Sequence, residues 1–176
     1  MLSDYIEIGE VLKPQGVHGQ VKVRPDTDEP EQFLGLTALY IRDTGKAEAF
    51  KALTVEAVSV RDGYVYLTLD GADTRDRAEK QRGLTLYVDR AHARKLRDDE
   101  WFICDLIGCR VRTSDGHELG ELTDVLSPGA NHVFVVTTDK GRLLVAAVKA
   151  VIRLVDTAGK LIVLDADKLK EVAVYE

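Results

Sequence analysis

No apolar stretch in this 176-residue chain runs longer than a short strand before a turn signal breaks it. Arg61-Asp62-Gly63, Ser114-Asp115-Gly116, Ser127-Pro128-Gly129-Ala130-Asn131, Asp139-Lys140-Gly141 and Thr157-Ala158-Gly159 all separate runs rich in Val, Leu and Ile. Short alternating runs with a turn about every ten residues favour small sandwiches or barrels over helical folds. The reading is therefore mainly β.

The first half supplies six strand patterns: Tyr5 to Leu12, Gln20 to Arg24, Ala38 to Arg42, Leu53 to Val60, Tyr64 to Leu69 and Leu84 to Val88. An Asp-Gly pair between the fourth and fifth is a strong hairpin signal. Thr27 to Leu34 reads as a loop with one helical turn. Thr74 to Arg82 reads as a helix, capped by Asp73 or Thr74 and ended by Gly83. Six strands suit a small closed barrel, which leaves no edge to protect. Asp89 to Asp99 loses the apolar period and turns basic, then acidic, which is a linker composition. The expected organisation is a first barrel over 1–92, a linker over 93–98 and a second barrel over 99–176, with the boundary near residue 95. The second block carries six strand patterns between Gly108 and Val163, and a short Asp-capped helix from Asp165 to Val172.

Between the first two strands lies Lys13-Pro14-Gln15-Gly16-Val17-His18-Gly19. Pro14 restricts its own φ and that of Lys13, and Gly16 and Gly19 suit positive φ. The segment reads as a rigid loop that displays Lys13, Gln15 and His18; a plain barrel corner is the competing reading. It is not a phosphate-binding loop, because no Lys-Ser or Lys-Thr follows the second glycine and a strand begins where a helix should.

Composition narrows the function classes. No apolar run approaches the ~20 residues that cross a bilayer, and the acidic Met1–Glu7 segment is unlike a signal peptide. Cys104 and Cys109 read as reduced packing residues; the histidines are scattered, so neither zinc nor another metal is expected. Net charge is −6, with 12 basic and 16 acidic residues in 1–90 and 12 and 14 in 91–176. Neither half is a basic nucleic-acid module, although local RNA contacts remain open. No Ser/His/Asp or Cys/His set stands out, so no catalytic residue is assigned.

Several motifs in order resemble the ribosome maturation factor RimM family. They are Gly9…Lys13-Pro14-x-Gly16-x-x-Gly19, Pro25-x-Thr27-Asp28-x-Pro30-Glu31-x-Phe33 and Arg77-Ala78-Glu79-x-x-Arg82-Gly83. In the second half, Glu100 to Gly108, Asp115-Gly116-x-x-Leu119-Gly120 and Gly129-Ala130-Asn131-x-x-Phe134-Val135-Val136 look like a PRC-barrel domain. The resemblance implies a translation-factor-like first barrel, a PRC barrel, and a cytoplasmic, monomeric assembly factor without catalytic activity or cofactor. It further implies partners: ribosomal protein S-nineteen, through Trp101 and Phe102, and the immature 30S subunit with its 16S rRNA, through Lys13, Gln15 and His18. Three stretches depart from the family pattern: Trp101-Phe102-Ile103-Cys104, His132 and Leu144-Val145-Ala146. Read as extended chain, one of Trp101 and Phe102 enters the core and the other faces out as an anchor. Asp105 is expected to orient this segment and Asn131 to hold its turn; Tyr64 and Tyr66 share one strand face. A flavin- or substrate-binding barrel enzyme is the alternative from another class, and visible absorbance separates the two. A PRC-barrel scaffold for a membrane complex is a third reading, with no anchor to support it.

Overall fold

The structure, a computed structural model, describes residues 2–27, 29–43, 49–127 and 131–176. The described residues form two compact units, Asp4–Lys95, and Leu96–Glu176 joined by Leu2 and Ser3. Asp28 and the Pro128-Gly129-Ala130 part of the predicted turn lie outside the described residues.

In the first unit, β1 (Tyr5–Gln15), β2 (Gln20–Pro25), β3 (Ala38–Arg42), β4 (Phe50–Arg61), β5 (Tyr64–Leu69) and β6 (Thr85–Asp89) close a barrel in the order β1-β2-β5-β4-β3-β6. Alternation decides which side faces in. Val21 and Val23 on β2 and Val65, Leu67 and Leu69 on β5 are all buried, while Lys22, Tyr64, Tyr66 and Thr68 between them face outward. Irregularities in β1, at Glu7/Gly9 against β6 and at Val11/Lys13 against β2, let one long strand pair on both sides. A 3-10 turn at Pro30–Phe33 buries Phe33 completely.

Helix α1 (Arg75–Glu79) is shorter than the sequence pattern suggests. Thr74 caps it by accepting from the Arg77 N–H, and Asp73 instead pairs with the Arg77 guanidinium at 2.9 Å. Ala78 is the one buried residue of this helix, so tertiary packing does little to extend it. Gly83 then donates its N–H to the Val11 carbonyl at 2.8 Å, which ties the segment to β1.

The second unit opens with one helical turn, α2 (Ile103–Leu106). It continues through β7 (Arg110–Thr113), β8 (Glu118–Leu126), β9 (Val133–Thr138), β10 (Gly141–Ala146), β11 (Ile152–Asp156) and β12 (Leu161–Leu164), and ends with α3 (Ala166–Val172) and β13 (Ala173–Tyr175). The strands order as β11-β12-β7-β8-β9-β10-β13, with β12 parallel to β7 and the other neighbours antiparallel. The core gathers Leu106, Cys109, Val111, Leu122, Phe134 and Ile162, among others, and Trp101 packs against it. Asp165 caps α3 by accepting from the Asp167 and Lys168 N–H groups, and Arg153 donates to its other oxygen at 2.8 Å.

Candidate functional site

The first candidate surface lies at one end of the barrel of the first unit. Lys13, Pro14 and Gln15 are not in a loop: they complete β1, opposite Lys22, Val21 and Gln20. Pro14 is tolerated because β6 pairs with β1 only as far as Glu10, so one side of the strand carries no ladder there. Its ring is buried, and Lys13 and Gln15 on either side are exposed. The true turn is Gly16 to Gly19. Gly16 has φ +69 and open space around it; Gly19 has φ +79 and packs so tightly that a Cβ would fall 1.2 Å from the Ala72 carbonyl oxygen. The turn is therefore clamped at one end and free at the other. Val17, 64% exposed, and His18 stand at its tip. Gln15, Val17, His18, Gln20, Arg61 and Thr68 line a shallow hollow, which Lys13 does not join. Val17 and Arg61 escaped the sequence reading; Arg61 was visible there only as the residue before an Asp-Gly turn.

The second surface lies at the start of the second unit. Phe102 is extended, and the helical turn Ile103–Leu106 begins directly after it. Phe102 holds the N-cap position, with its carbonyl accepting from Asp105 N at 2.9 Å. At the other end the Lys160 ammonium donates to the carbonyls of Asp105 and Ile107, at 2.8 and 2.9 Å. A cation at the C-terminal carbonyls suits both their lack of a partner within the helix ladder and the local dipole. Trp101 and Phe102 are each half-buried, so neither is a pure core residue and neither stands free. The apolar side chain that faces solvent is Ile103, at 44% exposure. The helical turn puts it on the side away from buried Asp105, two residues on, and Gly108 shortly after is the sequence signal for such a brief turn.

Asp105 is only 4% exposed and accepts from the Ser3 N–H at 3.2 Å, which holds the first residues of the chain against the second unit. Cys109 is buried below it, and burial pushes its thiol pKa up, away from the reactive thiolate. Cys104 is half-buried, and both cysteines are free. His132 is exposed, with Nδ1 2.8 Å from the Ser127 hydroxyl, and Asn131 is exposed beside it. In the first unit, Asp89 at the end of β6 is held below the usual carboxylate range by its hydrogen bond from His92. Among the described residues no group of three His, Cys, Asp or Glu side chains is placed to hold a metal ion, and no helix is long and apolar enough to cross a membrane.

Comparison with known proteins matches both units. The family profile of the RimM N-terminal domain covers residues 6–93, and that of the RimM PRC barrel domain covers residues 103–168. The ribosome maturation factor RimM of Caldanaerobacter subterraneus subsp. tengcongensis is 40% identical over 163 residues, which is 92% of this chain and 96% of that protein. That of Desulfitobacterium hafniense is 40% identical over 89% of each chain. A crystal structure of a putative 16S ribosomal RNA processing protein RimM from Pseudomonas aeruginosa aligns with 94% of this chain and 99% of its own, at 22% identity and a TM-score of 0.45. With both halves matched in order and relatives at this identity spanning most of its length, the chain belongs to the RimM family of ribosome maturation factors.

Proposed function

We propose that this protein is a cytoplasmic, monomeric maturation factor for the small ribosomal subunit that works by binding, without catalytic turnover. The observation that carries the reading is the 40% identity, across both units, to proteins named ribosome maturation factor. In this reading the second unit docks ribosomal protein S-nineteen in the immature head of the subunit, and the first meets 16S rRNA. Trp101 and Phe102, joined by Ile103, form the protein-binding surface. Half-buried aromatics beside an exposed aliphatic side chain supply anchoring area while the unit keeps its core. The first unit contributes Lys13 and Gln15 from the end of β1, and His18 from the turn whose Gly19 end cannot drift. The net charge of −6 favours a basic protein partner and steers its encounter.

The test is a pull-down of the tagged chain from bacterial lysate, followed by gradient sedimentation. Small-subunit precursors and free S-nineteen should be enriched over mature ribosomes. The association should weaken as salt brings the Debye length below ~8 Å. Equal recovery of mature and immature subunits overturns the reading.

A further inference from the structure

The barrel of the first unit carries a second feature, separate from the turn: a cation–aromatic face on the outside of β1, β2, β5 and β4. Three ladders fix its composition. Lys13 on β1 lies opposite Lys22 on β2, Lys22 opposite Tyr66 on β5, and Tyr66 opposite Ser59 on β4. One step along the same face, Tyr64 lies opposite Arg61. The alternating neighbours Val21, Val23, Val65 and Leu67 are buried, so this row belongs to the outer surface.

The side chains are knit diagonally. The Lys22 ammonium sits 3.4 Å from the centre of the Tyr64 ring, and the Arg61 guanidinium 4.3 Å from that of Tyr66. Among the described residues, none of Lys13, Lys22 and Arg61 is in an ion pair, whereas Arg24 further along β2 is bound to Glu10 at 2.6 Å. Three uncompensated cations and two tyrosines thus share one sheet face of a chain whose net charge is −6. The charges are scattered in sequence, and only the strand register collects them.

We infer that this face is a platform for single-stranded RNA, with bases stacking on Tyr64, Tyr66 and the Arg61 guanidinium while Lys13 and Lys22 take backbone phosphates. It rests on, and extends, the reading that the first unit meets rRNA. Successive outward residues on a strand are about 7 Å apart, a step that one nucleotide of an extended strand spans. An acidic protein would use the cations but has no need of the rings. Paired RNA keeps its bases stacked and cannot offer them to an aromatic surface. A guanidinium laid on a ring is itself a planar surface for a base, and the cations that remain unpaired are the ones that gain from phosphate. The hollow behind Arg61, which includes Gln15, His18 and Gln20, continues the face to the Gly16–Gly19 turn.

The test is fluorescence anisotropy of the full chain with a labelled single-stranded RNA of about 12 nucleotides, within the span one small barrel covers. Tyr64→Ala and Tyr66→Ala should each weaken binding roughly 5- to 150-fold, and the Phe variants should bind as the parent does. Tyr64→Leu and Tyr66→Leu, which keep apolar bulk, should also lose affinity; they serve where an alanine variant melts early. Changing Lys13 and Lys22 together to Gln should flatten the slope of log affinity against log salt by about 1.4. The proposal is overturned if the parent does not bind this RNA. It is also overturned if the Leu variants bind as the parent does, or if a polyglutamate peptide competes as well as unlabelled RNA. Sedimentation separates this from the ribosomal role. A chain that enriches small-subunit precursors but ignores the short RNA sinks the platform alone, and one that binds the RNA but no precursor sinks the role alone.

Discussion

The two glycines of the first turn look alike in sequence, and the structure expects very different responses from them. At Gly16, alanine meets no atom within 4 Å, so the cost is that of a Cβ at φ +69. That strain, about 1–2 kcal/mol, is partly offset by an unfolded chain less flexible by about 0.4–1 kcal/mol, which leaves a net cost between about zero and 1.6 kcal/mol. At Gly19 the same strain applies at φ +79, and the new Cβ would lie 1.2 Å from the Ala72 oxygen and 2.3 Å from its carbonyl carbon. Backbone cannot rotate away as a side chain does, so the turn or the segment ending β5 must move. Overpacking of this kind typically adds about 1–3 kcal/mol, so Gly19→Ala should cost about 1–5 kcal/mol in all after the same unfolded-chain offset. Urea denaturation followed by far-ultraviolet circular dichroism, with hydrogen exchange on β1 and β2, measures this. Trp101 is the chain's single tryptophan and lies in the second unit, so its fluorescence reports that unit separately. If the two alanine variants prove equally stable, or Gly19→Ala costs less than about 1 kcal/mol, the clamp at Ala72 does not exist as described.

Other outcomes follow from the second unit. Ile103→Ala should leave the melt unchanged and weaken S-nineteen binding, whereas Trp101→Ala should lower the second unit's stability by about 2–3 kcal/mol, since its ring packs on the core but is only half-buried; calorimetry alongside binding titrations separates the two effects. Asp165 is held below the usual carboxylate range by the Lys168 N–H and then by the Arg153 guanidinium. A depressed folded pKa gives stability that is present above the ordinary carboxylate pKa and lost as pH falls through the depressed value. Asp165→Asn, which keeps the cap and loses the charge, should remove part of that acid-side loss in pH-dependent melts, and Asp165→Ala should lower the neutral Tm further. We propose that cutting the chain near residue 95 leaves two units that each fold. The isolated 96–176 fragment should unfold cooperatively in urea at a lower midpoint than in the full chain, by about 1 kcal/mol, because Asp105 loses the Ser3 N–H. A fragment without a cooperative transition would refute the division.

Strand positions were the most legible part of the fold. Val21/Val23 and Val65/Leu67/Leu69 keep a strict two-residue period, and Asp62-Gly63 marks the hairpin between β4 and β5. Helix limits were less so. Charged residues continue the helical appearance past Glu79, but with Ala78 alone buried no packing extends the helix toward Arg82. The helical turn Ile103–Leu106 was not legible, because a four-residue helix is too brief to show a period. Lys13 and Gln15 were readable as exposed, yet their place on a strand facing β2 depends on a bulge at Val11/Lys13 that no local pattern announces. The outer face that joins Lys22, Tyr64, Tyr66 and Arg61 was the least legible. Lys22 and Arg61 are 39 positions apart in sequence, and only the β1-β2-β5-β4 register makes them neighbours.

The parallel pairing of β7 with β12 sets a clock on synthesis. All six strands of the first barrel have been made once Asp89 is joined, but β7 waits for Leu161–Leu164 before its outer ladder exists. Translation at about 5–20 residues per second puts those two moments roughly 4–15 s apart. From the moment Thr113 is joined until that interval closes, the unpaired side of Arg110–Thr113 offers backbone donors and acceptors to any strand within reach, its own nascent neighbours included. The first barrel therefore has time to fold before its successor is complete, and the second unit's exposure to mispairing is set by how fast the last third of the chain is made.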